Sequence, residues 1–209
     1  MKIAVIAANG RTGQAFVQAA LSAGHQVHAG IHTSSSLKAV PGLSILKCDA
    51  TQEDEVARLI QGQDAVVSFI GHVRGSPPDV QTKATSVIVS ALSRLNQKRL
   101  VSLTGTGVRF PGDKLTLTDR LLNMSISMID PKRVVDGKNH VEVLKNSDLD
   151  WTIIRVLKLT GGKRRQFTLL PHGPTKPLVS REEVAQAVLE VLEQHKFIRM
   201  APIIAKAVN

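Results

Sequence analysis

The chain has 209 residues, 43% of them hydrophobic and 21% charged, with 27 Lys and Arg against 17 Asp and Glu for a formal charge of +10. That size accommodates one well-buried domain and is short for two, and the composition is that of a globular protein rather than a disordered one. The charge favours anionic partners such as phosphorylated cofactors; with 3% aromatic residues and basic residues in short separated clusters (Lys98-Arg99, Lys132-Arg133, Lys163-Arg164-Arg165), a nucleic-acid surface is not expected.

An apolar strand, Lys2 to Ile6, runs into the turn Ala7-Ala8-Asn9-Gly10-Arg11-Thr12-Gly13, and a helix follows to Ala23, ended by Gly24. Strand, glycine turn and amphipathic helix in that order form a phosphate cradle: Gly10 lets the backbone approach a pyrophosphate, Gly13 lets the helix pack close, and the helix N–H groups face the anion. Ala7 stands where the tightest form of this motif has its first glycine. Gln26 to Ile31 reads as a second strand followed by the polar loop His32 to Ser36, and Leu43 to Cys48 as a third. Thr51 is the expected cap of the next helix, with Asp54 as its acidic partner and Gly62 at its end. Asp64 to Ile70 is a nearly continuous apolar strand, as a strand covered on both faces should be.

A helix from about Pro78 to Asn96 precedes strand five, Arg99 to Thr104, which leads into Gly105-Thr106-Gly107. Residues Val108 to Asp136 read as a loop around an apolar helix, Leu117 to Ile129, ended by Pro131. Then come a helix, Gly137 to Ser147, strand six, Trp151 to Leu157, a basic turn, Gly161 to Arg165, and strands at Gln166 to Leu170 and Leu178 to Ser180. A final helix, Glu182 to Gln194, and a strand near Ile198 to Ile204 close the chain. Strands alternating with helices this long require parallel pairing and right-handed crossovers. The expected fold is α/β: a single doubly wound Rossmann domain over residues 1–209 with a mostly parallel sheet, its substrate-side elements at about 105–136 and 158–181.

Ligands of such folds lie at the carboxyl ends of the strands. The glycine loop, Asn9, Gly10, Arg11, Thr12 and Gly13, is therefore assigned to the pyrophosphate. An NAD site generally has an acid about 20 residues after the glycines; here that point is His32-Thr33, and no carboxylate lies between Gly13 and Asp49. His32, Thr33, Ser34 and Arg11 can instead donate to a 2′-phosphate, which favours NADP(H) over NAD(H). Asp49 and Ala50 after strand three fall near the adenine. Gly71 and His72 after strand four, and Thr104 and Gly105 after strand five, lie along the path to the nicotinamide.

Beyond the phosphate loop, several stretches carry a more specific likeness: Lys47-Cys48-Asp49-Ala50, Asp64-Ala65-Val66-Val67 leading to Gly71, Asp150-Trp151-Thr152-Ile153-Ile154-Arg155, and Ser180-Arg181-Glu182-Glu183-Val184-Ala185. With these the chain resembles the atypical short-chain dehydrogenases/reductases of the NAD(P)H-binding, NmrA-like group, in the layout of the flavin reductase/biliverdin reductase B type. The resemblance implies a pyridine-nucleotide-dependent reductase, and it covers nearly the whole chain. It also exposes departures. The broader pattern pairs a Tyr with a Lys four residues later; Lys138 holds the Lys position, but Val134 stands where the Tyr would be. The customary Ser of strand five is represented by Thr104. His32 replaces an arginine that holds the 2′-phosphate, and Lys158 follows strand six where relatives have a Pro nearby.

There is no tyrosine in the chain, so any mechanism needing a phenol as proton donor is excluded. Hydride delivery to a planar acceptor such as a flavin or quinone needs no protein acid, because the product can take its proton from water. Thr104, Lys138 and Lys158 are the candidate catalytic residues: Thr104 to position, the lysines to stabilise a reduced anionic product. His140 is an outside candidate acid, read as a surface histidine. The competing reading is a non-catalytic NmrA-like redox sensor acting through a protein partner, with the helix Leu117 to Ile129 as either a lid or a partner surface. One cysteine, Cys48, allows no internal disulfide and no thiolate metal site. No stretch reaches the ~20 apolar residues of a membrane helix, and no signal peptide is evident, so a cytoplasmic monomer or homodimer without a metal is expected.

Overall fold

Period-2 alternation in the first strand, β1 (Lys2–Ile6), sorts its side chains onto two faces. Ile3 and Val5 join one hydrophobic cluster with Phe16, Val17 and Ala20 of helix α1 (Arg11–Ser22). Ala4 and Ile6 join the other, with Val56, Leu59 and Ile60 of α2 (Glu53–Ile60). A sheet buried on both faces results, which explains its continuous apolar strands. The computed structural model describes residues 1–114, 116–163 and 165–207; the middle arginine of the Lys163-Arg164-Arg165 cluster lies outside the described residues.

The remaining elements are β2 (Gln26–Ile31), β3 (Leu43–Lys47), β4 (Ala65–Ser68), α3 (Val80–Arg94), β5 (Arg99–Gly105), α4 (Leu117–Ile129), α5 (Pro131–Lys145), β6 (Asp150–Val156), β7 (Lys158–Thr160), β8 (Phe167–Leu170), β9 (Leu178–Ser180), α6 (Arg181–Glu193) and β10 (Ile203–Lys206). The main sheet has eight strands in the order β3-β2-β1-β4-β5-β6-β10-β8. Only the β10–β8 edge pair is antiparallel; β7 and β9 form a separate parallel pair. The order reverses between β1 and β4, so the loops after these strands open a crevice at one edge of the sheet. Helices α1 and α6 share the face of Ile3 and Val5, and α2, α3 and α5 contribute to the opposite cluster. Among the described residues, no helix is long and apolar enough to cross a membrane.

Local chemistry accounts for several boundaries that differ from expectation. Thr51 does not cap α2; its hydroxyl and N–H both donate to Asp49 Oδ1, at 2.7 and 2.9 Å, and Gln52 holds the cap position without a side-chain bond. Pro131 opens α5 rather than only closing α4, so α5 begins six residues before Gly137. Asp130 caps it by accepting from the Arg133 N–H at 3.1 Å, and proline at a first helical position loses no hydrogen bond. The strand β7 was not anticipated. The last strand starts at Ile203 because Phe197 and Arg199 turn the chain with positive φ.

Candidate functional site

The turn after β1 shows how the cradle forms without its first glycine. Ala7 itself takes the left-handed conformation, with φ of 59°, a geometry that costs a non-glycine residue roughly 1–2 kcal/mol. Gly13 has no such freedom to be replaced: a Cβ there would lie 2.5 Å from the Ala7 carbonyl oxygen and 2.7 Å from that of Ala8. Gly10 is different. Its backbone is extended (φ −68°), and an added Cβ would sit 3.3 Å from the Ala7 oxygen, tight but not impossible.

Each helix N-terminus carries orphan N–H groups and a partial positive charge. Thr116 with Asp119, Asp130, and Ser180 with Glu183 serve α4, α5 and α6 with capping side chains, and α2 carries three acids in its first turn. The N-terminus of α3 is filled from a distance, since Asp136 of α5 accepts from the N–H groups of Gln81 and Thr82, each at 2.9 Å. Among the described residues, α1 alone has neither a capping side chain nor an acid at its first turn. Its open end follows the strand that flanks the crevice.

Asn9 acts chiefly as a clip between two loops. Its Nδ2 donates to the Ser34 carbonyl at 2.9 Å, and its Oδ1 accepts from the Ser36 N–H and hydroxyl at 2.9 and 2.7 Å. That ties the loop after β2 to the glycine turn. His32 and Ser34 are exposed, and Arg11 is exposed beside them in the chain's first helical turn. Space, however, supplies a carboxylate that the order of residues along the chain does not: Asp49 Oδ2 stands 3.6 Å from His32 Nε2. The Thr51 N–H holds the Asp49 carboxyl below the usual range against a smaller opposing effect of burial. Arg181, the first residue of α6, was not among the expected site residues. Burial lowers its pKa, and the nearby Arg11 guanidinium lowers it further, so these two cations stand close at adjoining helix starts.

Around β4 and β5 the side chains are committed to one another. His72 Nε2 meets Asp136 Oδ2 at 2.8 Å, so its imidazole serves this contact. Burial acts to raise the Asp136 carboxyl, but the hydrogen bonds from Thr82, Gln81 and His72 together hold it down. His140 is not a surface histidine: it is fully buried, with Nε2 3.0 Å from Ser102 Oγ, and burial lowers its pKa to about 4 against the opposing pull of Asp136. A neutral imidazole behind the strand does not serve as an acid for ligands at the edge. Thr104 is 6% exposed, and α5 crosses it at Gly137, where a Cβ would come within 2.9 Å of Thr104 Oγ1. Gly71 and Gly105, by contrast, meet nothing closer than 4.0 Å, so protein packing does not demand glycine at either.

The two candidate lysines have separate surroundings. Lys138 is exposed and lines a cavity of about 1050 Å³ between α4 and α5, which Val134 also lines. Lys158 is exposed at the start of β7 and does not line that cavity. Thr104 is not among its lining residues either.

A family model described as NAD(P)H-binding matches residues 7–195. The chain belongs to that NAD(P)H-binding family. A protein of Bacillus subtilis strain 168, the uncharacterized YwnB, is 26% identical over 211 aligned positions, covering 94% of this chain and 95% of its own. The fold is shared with a short-chain dehydrogenase/reductase of Veillonella parvula in complex with NADP (TM-score 0.82, 18% identity, covering 98% of this chain and 94% of that one). It is shared also with a candidate NADH-flavin reductase of Streptococcus pneumoniae (TM-score 0.79, 22% identity, 99% and 100% covered). The anaerobillin reductase ChuY of Escherichia coli O157:H7 has the same fold at 15% identity and a TM-score of 0.79, covering 100% of this chain and 98% of its own. The structures show that an NAD(P)H-binding chain of this family builds a mostly parallel Rossmann-like sheet.

Proposed function

We propose that this NAD(P)H-binding chain is a reductase of planar acceptors, and that the open N-terminus of α1 receives the pyrophosphate of its dinucleotide. The observation that carries the binding half is that uncapped helix start: every other helix end of that kind is satisfied by an acid or a capping side chain. Gly13 gives the backbone its close turn, Arg11 and Arg181 add positive charge, and Gly71 and Gly105 leave room along the edge for the rest of the cofactor. The residues present fit a dinucleotide. When bound in reduced form it supplies a hydride, two electrons with a proton, to an acceptor that draws any further proton from water.

The chain's own part is to bind, orient and exclude water. Thr104, fixed against Gly137 at the end of β5, would position the ring, and Lys138 or Lys158 would favour a reduced, anionic product. Val134 occupies the place where a tyrosine would protonate an alkoxide, and no other phenol exists in the chain. Flavins, quinones and open tetrapyrroles spread the incoming charge over a conjugated system and suit such a site better than ketones do. The flavin and anaerobillin reductases among the structural neighbours support this acceptor class. NADPH is the preferred cofactor, with Arg11, His32 and Ser34 as donors to its 2′-phosphate. Asp49 beside His32 opposes that preference, so Asp49→Asn should shift the ratio of dissociation constants further toward NADPH. The test is cofactor oxidation with a panel of FMN, riboflavin, menadione and simple ketones. Turnover confined to the planar acceptors supports the reading; turnover of ketones overturns it.

One observation favours a second reading, a redox sensor working through a protein partner. Leu117, Leu121 and Met128 of α4 are 78%, 60% and 77% exposed, an apolar stripe at helical spacing. Tight dinucleotide binding with no acceptor reduced above the protein-free rate would move the assignment there.

A further inference from the structure

We infer that the cavity between α4 and α5 is a second ligand site, built for a small flat aromatic carrying a carboxylate, and separate from the dinucleotide path. The cavity holds about 1050 Å³, at the upper end of small-molecule sites, which span roughly 300–1,000 Å³. None of the glycine-loop, Gly71 or Thr104 positions lines it.

Its charge is one-sided. Arg109, Arg120, Lys138 and Lys145 line it, with Glu142 as the lone acid. Glu142 is taken by Lys145 at 3.0 Å, and among the described residues no carboxylate pairs with Arg109, Arg120 or Lys138. Two exposed guanidiniums facing one space match a carboxylate in geometry as well as in sign.

A buried donor marks the interior. Asn123 of α4 is 3% exposed and lines the cavity. Its Oδ1 accepts from Thr106 Oγ1 at 3.0 Å, while its Nδ2 is buried without a partner among the described residues. Buried amides are nearly always paired, so an orphan donor on a cavity wall points to an acceptor atom that a ligand brings. The Phe110 ring and the side chains of Val108 and Val134 give the space an apolar side. Phe110 is itself held by the Arg155 guanidinium, 4.8 Å from its ring centroid, which fixes the ring as a surface for stacking.

Calorimetric titration with naphthoate, against neutral naphthalenemethanol, tests the site on the whole protein. Naphthoate should bind saturably and at least tenfold more tightly than the alcohol. The double variant Arg109→Ala/Arg120→Ala, at exposed positions where folding is not at stake, should lose tenfold or more of that affinity while its NADPH affinity stays within twofold. Asn123→Leu should weaken naphthoate as well, with thermal melting read alongside to separate binding from folding. Equal binding of the alcohol, an unchanged affinity in the double variant, or no saturable binding of naphthoate would each overturn the inference. Because NADPH binding is read in the same samples, failure here is distinct from failure of the reductase reading.

Discussion

Arg155 and Asp113 meet through two parallel contacts, Nη1 to Oδ2 at 2.6 Å and Nη2 to Oδ1 at 2.8 Å, with the arginine side chain fully buried. The remaining guanidinium donors reach the carbonyls of Ala201, Val108 and Pro171, so one residue of β6 anchors three separate segments. Burial works to raise the Asp113 carboxyl, but the Arg155 hydrogen bonds and the Phe110 N–H outweigh it and hold the carboxyl below its usual range. Removing one partner strands a buried charge, so Asp113→Asn is expected to cost about 3–5 kcal/mol in urea unfolding. In the native protein this contribution is complete above the ordinary carboxylate range and is lost as pH falls through the lowered value. A loss under about 1 kcal/mol would show that the loop after β5 is held by other contacts.

His140 makes stability depend on pH in a higher window. Its folded pKa, lowered by burial from the ordinary 6.5 to about 4, means that the unfolded chain takes up a proton there that the folded chain refuses. Stability is therefore complete above pH 6.5 and falls as pH drops toward 4, by up to about 1.4 kcal/mol per unit and about 3 kcal/mol in all. His140→Gln should flatten that slope. Urea unfolding of both proteins across this range measures it, and parallel slopes would mean that His140 is not the group responsible.

The glycine loop separates packing from binding. Gly13→Ala must push a Cβ into two backbone carbonyls and should unfold the turn, losing both stability and cofactor affinity. Gly10→Val keeps an accessible backbone and should leave the melting temperature within a few degrees while abolishing dinucleotide binding. Ala7→Gly releases the left-handed strain and should be neutral or stabilising by up to about 1 kcal/mol. Melting curves and calorimetry on the three variants check this; retained binding in Gly10→Val would displace the pyrophosphate from this loop.

Much of the framework was readable because its signals are local. The glycine turn, the uninterrupted apolar strands and the exact span Leu117–Ile129 of α4 follow from spacing alone. What was hidden depends on residues far apart in the chain. Asp136 caps α3 from 54 and 55 positions away, Asp49 meets His32 across two strands, and Arg181 reaches Arg11 only because α6 lies beside α1. His140 was misplaced for the same reason: a single polar residue in a weakly amphipathic helix gives no sign that Ser102 awaits it. The start of α5 at Pro131 was legible in principle, since proline favours a first helical turn and Asp130 precedes it.

The most direct test of the account is where NADPH touches the protein. In a nitrogen-15 NMR titration, the backbone amides of Arg11, Thr12 and Gly13 should show the largest shifts and saturate together. Amides at the start of α3, already bonded to Asp136, should move far less. Shifts centred on α3 or on the α4–α5 cavity, with the first turn of α1 unmoved, would contradict the claim that its open end holds the dinucleotide.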